Sequence, residues 1–255
     1  LKITFLGTGT SQGVPVIACG CKVCRSEDPR DNRLRTSLMV ETGNTVIVFD
    51  AGPDFRQQML RENVTHVDAI VLTHEHRDHI SGMDDVRAFN YKTSDAIDIF
   101  AESRVLDEVK KEYSYVFREQ KYPGIPEMRL NPVTLEPFRI KELEIIPLRV
   151  FHLKLPVLGY RIGNFAYITD ANLVPDETKE KLFGVKWLVI NALRRERHIS
   201  HFSLYESINL IKEISPRHAF LTHISHQMGL YSEIMKELPH GVELAYDTLK
   251  ITLEE

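Results

Sequence analysis

The segment "LTHEHRDHISG" covers residues 72–82 and places His74, His76, Asp78 and His79 within six positions. His74 and His76 alternate along an extended stretch, so both imidazoles face one side. Asp78 and His79 follow where the chain turns into a helix, adding an oxygen and a further nitrogen from another angle. Imidazole and carboxylate together suit zinc, manganese or iron. A solvated polar loop gives no reason for this spacing directly after an apolar strand.

A second cluster, "ACGCKVC" at 18–24, holds the only three cysteines of the chain: Cys19, Cys21 and Cys24. A disulfide uses two thiols and a closed tetrahedral zinc site uses four ligands. Either these are reduced structural thiols, or a fourth ligand comes from elsewhere in the chain.

These side chains need strands and turns to hold them. β-rich runs recur at 2–7, 36–42, 44–50, 69–74, 96–102, 143–152, 158–162, 165–170, 187–193 and 218–223, with "VELAY" and "LKITL" near the end. "ETGN" and "RIGNFA" place Gly-Asn between β-runs and read as tight hairpins. Helical patterns cover 53–62, 81–90, 103–118, 175–182, 203–214 and 229–237. "SLYE" at 203–206 is a capping box, with Ser203 capping the helix and Glu206 reaching back. Residues 112–137, with prolines at 123, 126, 132 and 137, read as irregular, a candidate flap near a site. No repeat or Gly/Ser linker interrupts the pattern, so residues 1–255 read as one α/β domain.

"HEHRDH" resembles the His-x-His-x-Asp-His motif of the metallo-β-lactamase-fold hydrolases, and further matches follow in the order of that family. "FDAG" (49–52) resembles its first motif, with Asp50 as a supporting carboxylate. His152 after "LRVF", Asp170 in "YITDAN" and His223 in "FLTHISH" resemble its later ligands. The resemblance implies a four-layer αβ/βα sandwich and two divalent ions, manganese or zinc. His74, His76 and His152 would hold one ion, Asp78, His79 and His223 the other, and Asp170 would bridge. A lone histidine at a strand end is more often a satisfied polar residue. The motif reverses that for His152 and His223, because four ligands cannot fill two sites. Asp170 ends an apolar strand, where a carboxylate is costly unless paired. Flavodiiron oxidoreductases of this architecture resemble a pattern with Glu at the second position, whereas His76 here favours hydrolysis. Two such ions acidify water and clamp the attacking and leaving oxygens.

"GTGTSQGVPVIACGCKVC" and "LTHISHQ" resemble one subfamily, the phosphoribosyl 1,2-cyclic phosphate phosphodiesterases. The resemblance implies a structural zinc on Cys19, Cys21, Cys24 and His226, pinning the N-terminal loop beside the strand that carries His223. It also implies that His201, two residues before the Ser203 cap, is the general acid, so that His201 and Asp78 act directly in catalysis. His198 is the local competitor. Arg33, Arg35, Arg194, Arg195 and Arg197 are candidate phosphate contacts.

Composition narrows the partners. Net charge is −4, with no long Lys/Arg run, which argues against an extended nucleic-acid surface but not against a small anionic substrate. No stretch reaches about 20 apolar residues, so no membrane span is expected. The N-terminal "LKITFLGTGTS" lacks a basic region and cleavage site, and clustered reduced cysteines fit the cytoplasm. The expected function is a binuclear metal-dependent phosphodiesterase acting on a small cyclic or nucleotide-like phosphodiester. A tRNA 3′-processing nuclease, a glyoxalase II-like thioesterase and a catalytically idle metal-binding scaffold are the alternatives; the nuclease would carry a basic RNA-gripping arm, and none is evident. The sequence leaves a homodimer open.

Overall fold

Two Gly-Asn hairpins set the register of the antiparallel strands in the computed structural model, which describes residues 1–119 and 122–253. Gly43 and Gly163 each take the first central position of a two-residue loop at positive φ (51° and 54°), as a type II′ turn requires. The chain divides into two compact units.

The first unit comprises Leu1–Leu6, Ser37–Thr134 and the chain from Lys250. Its strands are β1 (Lys2–Gly7), β2 (Ser37–Thr42), β3 (Thr45–Phe49), β4 (Ala69–Val71), β5 (Ile97–Ala101), β6 (Met128–Pro132) and β14 (Lys250–Thr252). They form one mixed sheet in the order β14-β1-β2-β3-β4-β5-β6, parallel from β3 to β6. Its helices are α1 (Phe55–Arg61), α2 (Arg77–Ile80), α3 (Arg87–Thr93) and α4 (Ser103–Glu112). Phe55, Met59, Phe89, Val105 and Val109 from these helices cluster with Val48, Ile70 and Ile99 of the sheet. Fully burying a side chain of this size contributes roughly 1.5–3 kcal/mol. Gly82 lets two loops of this unit touch: an added Cβ would meet the Gly52 carbonyl oxygen, while the Gly82 N–H donates to Ala51 O at 2.8 Å.

The second unit comprises Gly7–Thr36 and Leu135–Leu249. It holds β7 (Phe138–Ile140), β8 (Leu143–His152), β9 (Leu155–Ile162), β10 (Phe165–Ile168), β11 (Trp187–Asn191), β12 (His218–Thr222) and β13 (Val242–Leu244). The sheet order is β13-β12-β11-β10-β9-β8-β7, antiparallel from β7 to β10 and parallel from β10 to β13. Helices α5 (Asp176–Leu182), α6 (Leu204–Ile214) and α7 (Tyr231–Ile234) contribute Leu182, Leu210, Ile211 and Ile234 to a core with Ile168, Leu188, Ile190 and Leu221. The capping box at the start of α6 is formed, with the Ser203 N–H donating to Glu206 Oε2 at 2.9 Å.

Several boundaries differ from the sequence reading. The 112–137 segment is not irregular throughout: Met128–Pro132 is edge strand β6, paired in parallel with β5, and Pro132 at its end costs no interior ladder bond. Residues 120 and 121 of that candidate flap lie outside the described residues. Helix α4 stops at Glu112 rather than 118, where Tyr113 donates to Ile80 O at 2.8 Å and Val116 enters the core. The expected helix over 229–237 is regular only at Tyr231–Ile234. Strand β4 ends at Val71 because Thr73 leaves the ladder and donates its N–H to the Asp50 carboxylate at 2.8 Å.

Candidate metal centres

Parallel strands expose ligand-bearing loops at their carboxyl ends. Asp50 follows β3, Asp170 lies just past β10, and His223 follows β12. All three adopt left-handed backbone conformations, with φ of 62°, 52° and 55°. Asp and His tolerate this region better than bulky apolar residues, and such strain collects where a side chain must be aimed.

In the first unit, His74 and His79 are fully buried, and their ring centroids lie 4.2 Å apart; His76 lies 4.5 Å from His74. Asp50 organises them without being adjacent in sequence. It sits 2.8 Å from His79 Nδ1, and it accepts the Thr73 hydroxyl at 2.9 Å. Since the Thr73 proton goes to Asp50, Thr73 Oγ1 accepts from His74 Nδ1, 2.9 Å away. Both imidazoles are thereby fixed in the tautomer whose Nε2 carries the lone pair, the form a metal needs. Asp78 Oδ2 lies 3.2 Å from His79 Nε2, so an oxygen donor stands beside that nitrogen. Burial pushes the Asp50 carboxyl above its ordinary range, and the His79 imidazole opposes the shift.

In the second unit, His152, Asp170, His201 and His223 converge. Asp170 Oδ1 is 2.9 Å from His223 Nδ1 and accepts the Thr169 hydroxyl at 2.7 Å, while Asp170 Oδ2 is 3.5 Å from His201 Nε2. His152 Nδ1 donates to Ser200 O at 2.6 Å, again leaving Nε2 as the lone-pair nitrogen. His201 stacks on His223 with centroids 5.0 Å apart, and its Nδ1 faces Ser200 Oγ at 3.1 Å and His198 Nδ1 at 3.3 Å. His198 is held below its ordinary pKa by burial, then by His201 and Arg194.

The cysteines also converge. Sγ of Cys19, Cys21 and Cys24 lies 3.2, 3.4 and 3.6 Å from His226 Nδ1. A tetrahedral zinc with bonds near 2.3 Å to sulfur and 2.0 Å to nitrogen sets such pairs about 3.5 Å apart. The donor set fits a Cys3His zinc. The Cys24 N–H, then His226 and Cys19, lower the Cys21 thiol to about 6, while burial pushes Cys24 up to about 11. The loop carrying this cluster is tied to the His223 segment, since Ile224 N donates to Thr8 O at 2.8 Å and Thr10 N to Ile224 O at 3.1 Å.

The arginine candidates separate. Arg33 is buried and donates to Thr8 Oγ1 at 2.8 Å and Ala245 O at 2.5 Å, so it braces the N-terminal loop and does not face a ligand. Arg194 reaches Gln227 Oε1 at 2.9 Å and Arg195 reaches Glu237 at 2.6 Å, both as internal clamps. Arg35 Nε donates to Ser11 O at 3.2 Å. Arg197, with its side chain 88% exposed, lies 3.5 Å from Glu206. Sequence reasoning missed Thr73, Thr169 and Ser200. A signal existed for the first two: threonine directly precedes His74, Asp170 and His223 at the strand ends.

A family model described as a beta-lactamase superfamily domain matches residues 45–224. The chain belongs to the beta-lactamase superfamily. It has the metallo-β-lactamase fold, of α/β class as expected, with clusters of side chains that could hold metal ions. A solved structure described as a new diphosphatase from the PhnP family is 38% identical, with a TM-score of 0.93 over 99% of this chain and 98% of that one. Zn(2+)-bound PqqB from Methylobacterium extorquens is 18% identical, with a TM-score of 0.79 over 99% of this chain and 100% of that one, a likeness of fold alone. A curated relative from Porphyromonas gingivalis (strain ATCC BAA-308 / W83), named octanoyltransferase, is 41% identical over 258 residues. The match takes in 100% of this chain and 52% of that protein, so the chain spans about half the length of that relative. No helix among the described residues is long and apolar enough to cross a membrane.

Proposed function

We propose that this superfamily member is a binuclear phosphodiesterase for a small cyclic or nucleotide-like phosphodiester, with phosphoribosyl 1,2-cyclic phosphate as the reference substrate. What supports hydrolysis at phosphorus is the match along nearly the whole chain to a protein described as a PhnP-family diphosphatase, and the choice of a phosphodiester rests on the resemblance of "GTGTSQGVPVIACGCKVC" and "LTHISHQ". In this reading His74, His76, Asp78 and His79 are the metal ligands of the first unit, and His152, Asp170 and His223 those of the second. When bound, two divalent ions, manganese or zinc, supply an acidified water and charge neutralisation of the phosphate. The chain's own residues do the rest. Asp50 and Thr73 hold His79 and His74 in the ligating tautomer, the Ser200 carbonyl holds His152, and His201 protonates the leaving oxygen. Arg197 takes a phosphate oxygen.

One finding favours a second reading, hydrolysis of an acyl thioester: the relative named octanoyltransferase. A panel of bis-p-nitrophenyl phosphate, phosphoribosyl 1,2-cyclic phosphate, an octanoyl thioester and S-lactoylglutathione separates the readings. The expected result is a kcat/KM on the phosphodiesters at least about 100-fold above that on either thioester. The reverse order sinks the proposal, and no turnover of any of them returns the chain to a metal-binding scaffold.

In the same reading Cys19, Cys21, Cys24 and His226 carry a structural zinc. Thiolates select zinc, whereas a His/Asp pocket accepts harder ions. Cys21→Ser should therefore lose about one zinc per chain and several degrees of melting temperature, with manganese at the other site largely retained. Three cysteines that titrate freely with a thiol reagent in the native protein would exclude the site.

A further inference from the structure

Beside the general-acid candidate lies a cavity of about 520 Å³, lined by Leu153, Asn172, Arg197, His198, Ile199 and Glu206. It adjoins His201, whose Nδ1 is 3.3 Å from His198 Nδ1. Two of its walls are aliphatic and unusually open: Leu153 is 53% and Ile199 73% exposed. Leu153 also adopts φ of 58°, a backbone conformation that leucine occupies only at a cost glycine or asparagine would avoid.

Asn172 fixes both walls. Its Oδ1 accepts the Leu153 N–H at 2.6 Å, and its Nδ2 donates to Ile199 O at 3.2 Å. One side-chain amide thus sets the spacing of the two loops that carry the aliphatic residues. That amide is thereby engaged with backbone. Glu206 is engaged too, accepting the Ser203 N–H at 2.9 Å and the Ser203 hydroxyl at 2.7 Å. The cavity therefore presents C–H surface from two sides, with Arg197 and His198 as polar groups at its edge. A bare sugar phosphate, which needs several partners for its hydroxyls, is poorly matched to such walls. A flat heteroaromatic ring is well matched, because its faces are apolar and its edge is polar.

We infer that this cavity is a nucleobase subsite, in which Leu153 and Ile199 clamp the ring of a nucleotide substrate and Asn172 holds the clamp at fixed width. The inference rests on the phosphodiesterase reading and takes its nucleotide-like branch, in which a base-bearing substrate is turned over better than the base-free reference. Losing apolar contact with a ring typically changes discrimination 10- to 200-fold.

The test compares adenosine 2′,3′-cyclic phosphate with the base-free phosphoribosyl 1,2-cyclic phosphate, using Leu153→Ser, Ile199→Ser and the double variant. The ratio of kcat/KM for the nucleotide over the base-free substrate should fall about tenfold in each single variant and further in the double, through KM. Leu153→Gly should raise the melting temperature by relieving the positive φ, yet lower the same ratio, which a purely structural role would not do. A ratio that stays constant in all variants overturns the subsite while leaving the phosphodiesterase reading intact. A double variant that keeps the ratio but changes the sedimentation of the protein reassigns the two aliphatics to contact between copies, and also overturns it. If the wild type cleaves neither phosphodiester, the function reading fails and the subsite falls with it.

Discussion

Replacing Asp170 with alanine or asparagine is expected to remove at least one divalent ion per chain and lower kcat by about 100-fold or more. The reason lies in what surrounds the carboxylate. Asp170 is almost completely buried, with His223 Nδ1 at 2.9 Å and His201 Nε2 at 3.5 Å. A buried carboxylate is costly to desolvate, and a neutral amide of the same shape avoids that cost where the neighbouring imidazoles are themselves neutral. Asparagine keeps the shape and can still accept from the Thr169 hydroxyl, which lies 2.7 Å from Asp170 Oδ1. The metal-free Asp170→Asn protein should therefore melt no lower than metal-free wild type, even though the loaded enzyme is crippled. Atomic absorption, kcat and melting with and without chelator check the three parts together. Full metal content with near-normal turnover would show that Asp170 is not a ligand. A large fall in the melting temperature of the metal-free form would show that it is structural instead.

The parts of the site legible in the sequence were those written locally. His74, His76, Asp78 and His79 announce themselves because a strand followed by a helical turn brings six consecutive positions to one place. Asp50, Asp170 and His223 were legible as motif matches, but no periodicity could show that each sits at positive φ. The roles of Thr73, Thr169 and Ser200 depend on hydrogen bonds that form only after folding; Ser200 acts on His152 through its backbone carbonyl, 48 positions away. Arg33 shows the opposite error. The sequence offers it as a candidate phosphate contact, yet its burial makes it a brace for the N-terminal loop. Only three-dimensional neighbours decide between these, since the sequence carries the charge but not the depth. The same limit explains β6. Proline-rich surroundings suggested an irregular segment, and pairing with β5 over five residues outweighed local propensity.

His201→Ala should have a selective effect that depends on the leaving group. A p-nitrophenolate departs without a proton, because its conjugate acid is already acidic near neutral pH. A ribose alkoxide is far more basic, and protonating it in the transition state is worth about 10²–10⁴-fold. The loss for a cyclic sugar phosphate should therefore exceed the loss for bis-p-nitrophenyl phosphate by about 100-fold, with metal content unchanged. Geometry favours His201 over His198: its Nε2 faces Asp170 at 3.5 Å, and its ring packs against His152 and His223 with centroids 4.4 and 5.0 Å away. His198 lines the adjoining cavity, and burial, then His201 and Arg194, hold its pKa below the ordinary value, which disfavours the imidazolium. His198→Ala should accordingly show a smaller selective loss. Equal losses on both substrates together with missing metal would make His201 a ligand, in keeping with its convergence on His152 and Asp170. A selective loss confined to His198→Ala would move the acid three residues back along the loop, to the cavity wall.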